Sequence, residues 1–484
     1  MVDVGFQQIY YTLSMKKILY AILGLMFVQM QASALDIVYP TKEYSKINSP
    51  STFIVGSTKP SDRLFINDRE IKVHQTGAFA QAVKLQNGVN EFKVYSGNVE
   101  KTYKIERPYA SGGSWKPAQI VDFECPKIME ITRDGAPVRT TSVQSGINRL
   151  AHYQRGMLLK VDGEKGDMYR VVLANNQKAW VAKSDVKRKL VNYDRAFLYD
   201  YRERESENNY IYEFALSKQT PYSITEGENM TLKIYNVGGN DNNTATFNIK
   251  LNQMLMGYDI RYKGDTLVLS IKKEPNLSRK HPLKNVRIVV DAGHGGKELG
   301  AVGCCRNYEK DFNLSIARYL EKELRSMGAT VYMTRSYDKY MSLNDRVRYT
   351  NDKEAQIFVS IHANSLPDSI NPMTRRGSSV FYYYDEAKPL SDAIMNSVAN
   401  KMPVNNEGVK QASFAVVRNT SAVSVLVETA YVINPYDNEL LMTDKFRQDY
   451  AKAVADGIKD YVWQSSRIKM AWLSRNKIKC ERIS

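Results

Sequence analysis

Cysteine is scarce in this chain, with four in 484 residues: Cys125, Cys304, Cys305 and Cys480. They form neither a metal-finger spacing nor a disulfide framework, which excludes a small fold stapled by disulfides. Long apolar runs are also missing. Beyond the N-terminal region no stretch is long and apolar enough for a transmembrane helix. Acidic residues are in the minority, 52 against 68 Lys and Arg, giving a formal charge of +16 and a pI near 9.3. That excess points to an acidic polymer as partner. No nucleic-acid motif accompanies it, so no nucleic acid is expected. What is present is an ordinary globular composition, 43% hydrophobic and 25% charged. Its length suggests about three domains.

Four islands in the second half carry chemistry: Val290-Asp291-Ala292-Gly293-His294-Gly295-Gly296, Tyr308-Glu309-Lys310-Asp311, Ser360-Ile361-His362-Ala363-Asn364 and Leu426-Val427-Glu428-Thr429. Val286–Val290, Ile357–Ile361 and Val423–Val427 are short, β-rich and wholly apolar or nearly so, as buried strands of a parallel sheet are. Ligands of open α/β sheets collect beyond the carboxyl ends of such strands. His294, His362 and Glu428 come at or just after those ends. Glu309 opens a helix over Glu309–Met327, with Phe312, Ile316, Leu320 and Leu324 on one face. Two imidazoles and two carboxylates reaching one rim make a metal site. Taken singly, His362 could end a strand for ordinary reasons, and Glu309 could simply complement a helix dipole. His294 differs, because the flanking glycines suit close approach rather than core packing. Glu428 differs too, since a carboxylate after Val-Leu-Val is costly to desolvate unless something meets it.

The order GHGG, EKD before a helix, SIHAN and LVET resembles the zinc-dependent N-acetylmuramoyl-L-alanine amidases of the amidase-3 family. Met333-Thr334-Arg335, Leu343–Arg346, Gly408-Val409-Lys410, Phe414–Arg418 and Ile433-Asn434-Pro435 fit as well. The likeness spans residues 285–463. It implies one Zn²⁺ per chain held by His294, Glu309 and His362, with Glu428 as catalytic acid/base. It also implies hydrolysis of the amide between N-acetylmuramic acid and L-alanine in peptidoglycan. Zinc with three protein ligands keeps a position open for water and lowers its pKa to roughly 7. Two alternatives remain, a zinc peptidase acting on another wall peptide bond and a non-catalytic peptidoglycan-binding protein. Asp291 and Asn364 are candidates to orient a ligand or the substrate. A thiolate from Cys304-Cys305 could reach the metal, although His-Glu-His already completes a set of three. Two positions depart from the family pattern. Ala292 replaces the usual Pro, and Glu407 stands where Arg is common, reversing a charge near the expected substrate groove.

The fold expected is multidomain, all-β modules followed by an α/β catalytic domain with a mostly parallel sheet flanked by helices. Residues 1–34 read as a secretory signal: Met15-Lys16-Lys17 is basic, Ile18–Val28 apolar, and Ala32-Ser33-Ala34 an A-x-A cleavage signature. Met15 is the expected start, because Met1–Ser14 carries Asp3 and no Lys or Arg. The product is then exported to the periplasm or cell envelope, or secreted. Residues 35–108 hold short β-runs (Ser51–Val55, Arg63–Ile66, Glu91–Val94, Thr102–Ile105) and resemble an Ig-like sandwich. Ala110–Ser114 is a flexible linker. Residues 115–188 resemble an SH3-like module, with an Ala136-Pro137-Val138-Arg139 opening and a late Trp180-Val181 strand. Residues 189–275, with paired strands such as Met230–Tyr235 and Thr266–Ile271, resemble β-domains that target amidases to the wall. Residues 464–484 are a basic tail, expected to be solvated. An anionic wall polymer is a further expected partner of the basic surface. Between His362 and Glu428 the pattern expects a strand Ser378–Tyr384, a helix Leu390–Met402 and a strand near Phe414. That leaves no room for an extra helix to block the site.

Overall fold

The computed structural model describes residues 35–109, 117–227, 229–238, 243–251, 253–277, 280–470 and 479–482. The expected signal, residues 1–34, and the linker Ala110–Ser114 lie outside the described residues.

The chain forms two compact units. The first comprises residues up to Tyr109 together with Cys304–Arg306 and Asp368–Met373. One of its sheets has three strands, in the order Asp36–Tyr39, Ser51–Ser57, Ala78–Lys84. The other has five, ordered Tyr44–Lys46, Val99–Arg107, Gly88–Ser96, Leu64–Ile66, Arg69–Ile71. Alternation drives this packing: Phe92 and Val94 are buried while Glu91 and Lys93 face out. Ile54, Leu64, Phe79, Val94 and Ile105 fill the core.

The second unit contains the remaining β-modules and the α/β region. A seven-stranded sheet includes Ala136–Arg139 beside Gln177–Ala182, with Val138 opposite Val181. Two four-stranded sheets follow. Thr266–Lys272 pairs with Asn209–Leu216 and Tyr258–Lys263, whereas Asn229–Tyr235 pairs with Tyr222–Thr225 and Thr244–Lys250. The two runs read from the sequence as paired strands thus belong to different sheets, because alternation identifies a strand but not its neighbour. Val138, Leu159, Phe214, Leu232 and Ile271 join one apolar cluster across these sheets.

The tail expectation is corrected near its end. Lys479–Arg482 adds an antiparallel strand to Thr244–Lys250, with Cys480 buried opposite Ile249. Backbone pairing and one apolar side chain outweigh the charge that made this segment look solvated. The final helix also passes Trp463, reaching Met470.

The α/β sheet is built from β1 (Arg287–Ala292), β2 (Thr330–Met333), β3 (Ile357–Asn364), β4 (Ser378–Tyr382), β5 (Asn406–Gln411) and β6 (Val423–Tyr431). Their order is β2-β1-β3-β6-β4-β5, with only the β6–β4 pair antiparallel. The helices are α1 (Glu309–Ser326), α2 (Leu343–Asp352), α3 (Lys388–Lys401), α4 (Pro435–Met442) and α5 (Asp444–Met470). Helices α1 and α3 pack on α5, and Tyr450 of α5 meets the Ser378 hydroxyl. Arg346 of α2 reaches Asp291. Strand alternation puts Ser378 and Asp291 on opposite faces, so helices cover both sides of the sheet.

Three boundaries differ from the sequence reading. Strands β3 and β6 run through His362 and Glu428 instead of ending before them, since ladder pairing continues past the apolar run. The strand expected near Phe414 is β5, Asn406–Gln411. Phe414 lies beyond its end, edge-on to Phe381 with ring centroids 5.2 Å apart. Between His362 and Glu428, α3 is the single α-helix.

Candidate metal centre

The turn after β1 is where the sequence first becomes unusual. His294 adopts φ +59°, a left-handed conformation that non-glycine residues seldom take. Two buried arginines hold its backbone. Arg335 donates to the carbonyls of Ala292 and Gly293 at 2.8 Å each, and to that of Lys310 at 2.7 Å. Arg346 donates to the carbonyls of Ala292 and His294 at 2.9 Å each. Asp291, 1% exposed, in turn pairs with Arg346 and accepts from Thr334 (2.7 Å) and Ser360 (2.6 Å). A buried ion pair is stable only when its remaining groups are hydrogen-bonded, and these are. The arginines thereby fix the strained turn that presents His294.

Glu309 is the first residue of α1 and is 5% exposed. Its Oε1 lies 2.8 Å from His362 Nδ1, and its Oε2 lies 3.3 Å from His294 Nε2. Ala363 N (3.2 Å) and Asn313 Nδ2 (3.2 Å) donate to Oε1, and Ala301 N (2.8 Å) donates to Oε2. Burial alone would raise this carboxyl, but the hydrogen bonds and charges of the two histidines outweigh it and hold it well below the usual range. For His362, burial opposes the proton while the Glu309 carboxylate favours it more strongly, so its pKa rises. One ligand atom from each of His294, Glu309 and His362 can be chosen with all three within 4.8 Å of one another.

The backbone makes room for this cluster. A Cβ on Gly293 would sit 2.3 Å from the His362 ring, and one on Gly300 would sit 2.5 Å from Glu309 Oε2. Such separations are far inside contact distance, so both positions require glycine. The two imidazoles are edge-on with centroids 5.0 Å apart. The donor set, two nitrogens and a carboxylate at one point, is the chemistry of a zinc or similar divalent site. Cys304 and Cys305 are not among the clustered atoms. Burial pushes the Cys304 thiol upward, away from the thiolate a metal needs.

Glu428 stands in register with His362 across the β3–β6 ladder and with Ser379 across β6–β4. Its Oε2 is buried and has no hydrogen-bond partner among the described residues. Burial raises the carboxyl to about 7, and Glu309 adds to the rise while His362 and Lys410 oppose it. A buried carboxyl poised near neutrality can both take and return a proton. Asn364 does something more local, its side chain accepting from Ser365 N at 2.9 Å.

All four expected site residues therefore meet at the carboxyl-terminal rim of the central strands β1, β3 and β6. The residues left without a role by the sequence reading are Arg335, Arg346 and Asn313. The first two stand in Met333-Thr334-Arg335 and Leu343–Arg346, whose motif character was visible while their carbonyl-clamping was not. Nothing in the sequence marks Asn313.

Residues 288–460 match the family model Amidase_3, N-acetylmuramoyl-L-alanine amidase. The chain is 35% identical over 188 residues to the probable cell wall amidase LytH of Staphylococcus aureus, covering 38% of this chain and 62% of that protein. Among solved structures, the amidase AmiC2 of Nostoc punctiforme is 34% identical, covering 37% of this chain and 99% of that one, with a TM-score of 0.36. The catalytic domain of CwlV, an amidase from Bacillus (Paenibacillus) polymyxa var. colistinus, is 34% identical. There 36% of this chain and 97% of that one are covered, with a TM-score of 0.35.

Proposed function

We propose that this chain, whose residues 288–460 match the Amidase_3 family model, is a zinc-dependent N-acetylmuramoyl-L-alanine amidase acting on peptidoglycan. The observation that carries the reading is the His294–Glu309–His362 cluster beside a buried, unpartnered Glu428 oxygen. His294, Glu309 and His362 would hold one zinc. When bound, zinc supplies Lewis acidity, which makes water nucleophilic near neutral pH and polarises the amide carbonyl. Glu428 takes the proton of the attacking water and returns it to the leaving amine of L-alanine. Without that delivery the amine would leave as a poor anion. Arg335, Arg346 and Asp291 keep the His294 turn in place, and the Ala301, Ala363 and Asn313 donors aim Glu309.

The first unit, residues 35–108, serves in this reading as an Ig-like module. Residues 115–188 form an SH3-like module and 189–275 a further β-domain for attachment to the wall, with the catalytic domain at 285–463. Residues 1–34 direct export to the periplasm or envelope, where a basic surface meets anionic polymer. Among the described residues no helix is long and apolar enough to cross a membrane.

The test is product analysis. Purified protein incubated with peptidoglycan should release stem peptides with a free L-alanine amine, identified by mass spectrometry. New amines only within the stem would replace the amidase reading with a peptidase. Glu428→Gln should keep zinc and lose turnover by roughly a hundredfold or more.

A further inference from the structure

The charge reversal at Glu407 gains meaning from what surrounds it. Three donors converge on its Oε2: Tyr431 Oη at 2.8 Å, Arg375 Nη2 at 3.0 Å and Lys410 Nζ at 3.1 Å. Glu407 is 12% exposed, while Arg375 and Lys410 keep 44% and 35% of their side chains open. Two cations on one carboxylate leave one positive charge uncompensated at a partly open position. The cations are also fixed. Lys410 runs over the Phe381 ring, 5.7 Å from its centroid, before turning to Glu407.

Sheet register places this charge beside the reaction centre. Strand β4 carries Ser379 opposite Glu428 and Phe381 opposite Leu426. Strand β5 carries Lys410 opposite Phe381, and its register slips between Ser378 and Val380, so that Glu407 and Gly408 face Ser379. One row across the sheet therefore reads His362, Glu428, Ser379 and then Glu407, with the Lys410 head drawn back to it. Ser379 is 1% exposed and its hydroxyl has no partner among the described residues, like the neighbouring Glu428 oxygen. Same-row residues of adjacent strands share a face, so both unpartnered groups open on the same side as Lys410.

We propose that Lys410 and Arg375, held by Glu407, form a subsite for a free carboxylate on the leaving-peptide side of the scissile amide. This rests on the amidase reading, in which Glu428 protonates the leaving amine, and it has the leaving peptide follow the row from Glu428 past Ser379. Strands lie about 4.8 Å apart, so the backbone of Glu407, to which the Lys410 head is drawn, is about 10 Å from that of Glu428. One peptide residue spans about 3.5 Å, which places a carboxylate on the second stem residue within reach of the Lys410 head. Glu407 is the positioning residue. Lys410 and Arg375 carry the recognition.

The experiment compares two synthetic muramoyl peptides that differ only at the second residue's carboxyl, a free acid in one and a primary amide in the other. The native protein should cleave the acid with higher kcat/KM. In Lys410→Met, kcat/KM for the acid should fall roughly tenfold or more, mainly through KM, as expected when a charge-assisted contact is lost. The amide substrate should change little, and Lys410→Arg should restore the preference. Equal losses on both substrates would show that Lys410 acts only through Glu428 and would overturn the subsite, as would a native protein that cleaves both alike. Failure to cut either at the muramoyl–alanine bond would instead overturn the amidase reading, and this one with it.

Discussion

The α/β sheet and the β-modules bury comparable strands by different rules. In Gly88–Ser96 each buried residue is followed by an exposed or half-exposed one, and the charged Glu91 and Lys93 face water. In β3 and β6 nearly every position is buried, and the two polar exceptions that matter, His362 and Glu428, are half-buried at the rim. A polar residue in the first setting is ordinary. In the second it is costly unless another group meets it: the metal-type cluster meets His362, while Glu428 keeps one oxygen without a partner among the described residues. The contrast teaches that the same local pattern, a charged residue after apolar ones, gains significance from the layer on either side of the strand.

Metal ligands should break the comparison most sharply. His294→Ala and His362→Ala should each lose bound zinc and activity, roughly a thousandfold or more. The β-modules should keep their strand signal by circular dichroism. Zinc retained at one per chain in the double variant would remove the ligand assignment.

Glycine distinguishes the regions next. Gly293→Ala forces a Cβ to 2.3 Å from the His362 ring and should cost most of the zinc affinity, measured by competition with a chelating dye. Gly264→Ala, at φ +60° with nothing within 4 Å, should cost only about 1–2 kcal/mol in a melting experiment, from backbone strain alone. If the two variants behaved alike, close packing would not be what sets the metal centre apart.

Glu428 gives a third test, through pH. Its folded-state pKa lies near 7, above the unfolded value of about 4.3. Ionising it therefore opposes folding, a penalty absent below about pH 4, growing through the window between, and complete above about 7. Metal-free Glu428→Gln should match the parent in melting temperature at pH 4 and exceed it at pH 8. Identical profiles would mean that the carboxylate is solvated.

His152 in a β-module shows a comparable effect in the opposite pH direction. Burial, then the charge of Arg149, lowers it to about 4, so its neutral form supports folding. That stability is full above the unfolded value near 6.5 and is lost as pH falls towards 4. A His152→Gln variant should lose less stability than the parent between pH 6.5 and 4.5. No difference would place the ring in solvent.

Much of the candidate metal centre was legible because each group stands in a distinctive local context, glycines around His294 or apolar residues before Glu428. The β-modules were legible as strands but not as sheets. Alternation at Met230–Tyr235 and Thr266–Ile271 carries no information about partners, and these runs entered different sheets. Nor did the basic composition of the tail reveal that Lys479–Arg482 would complete one of them.

By itself, then, the sequence determined the chemical groups of the site and the layered class of the domain that holds them. Both follow from side-chain type and short-range periodicity. Tertiary structure alone decided that Arg335 and Arg346 clamp the His294 turn, that Ser379 stands opposite Glu428, and that Glu407 gathers Arg375, Lys410 and Tyr431. Those relations depend on strand order and register, which are set by the simultaneous burial of many distant apolar faces and are written in no single stretch of the chain.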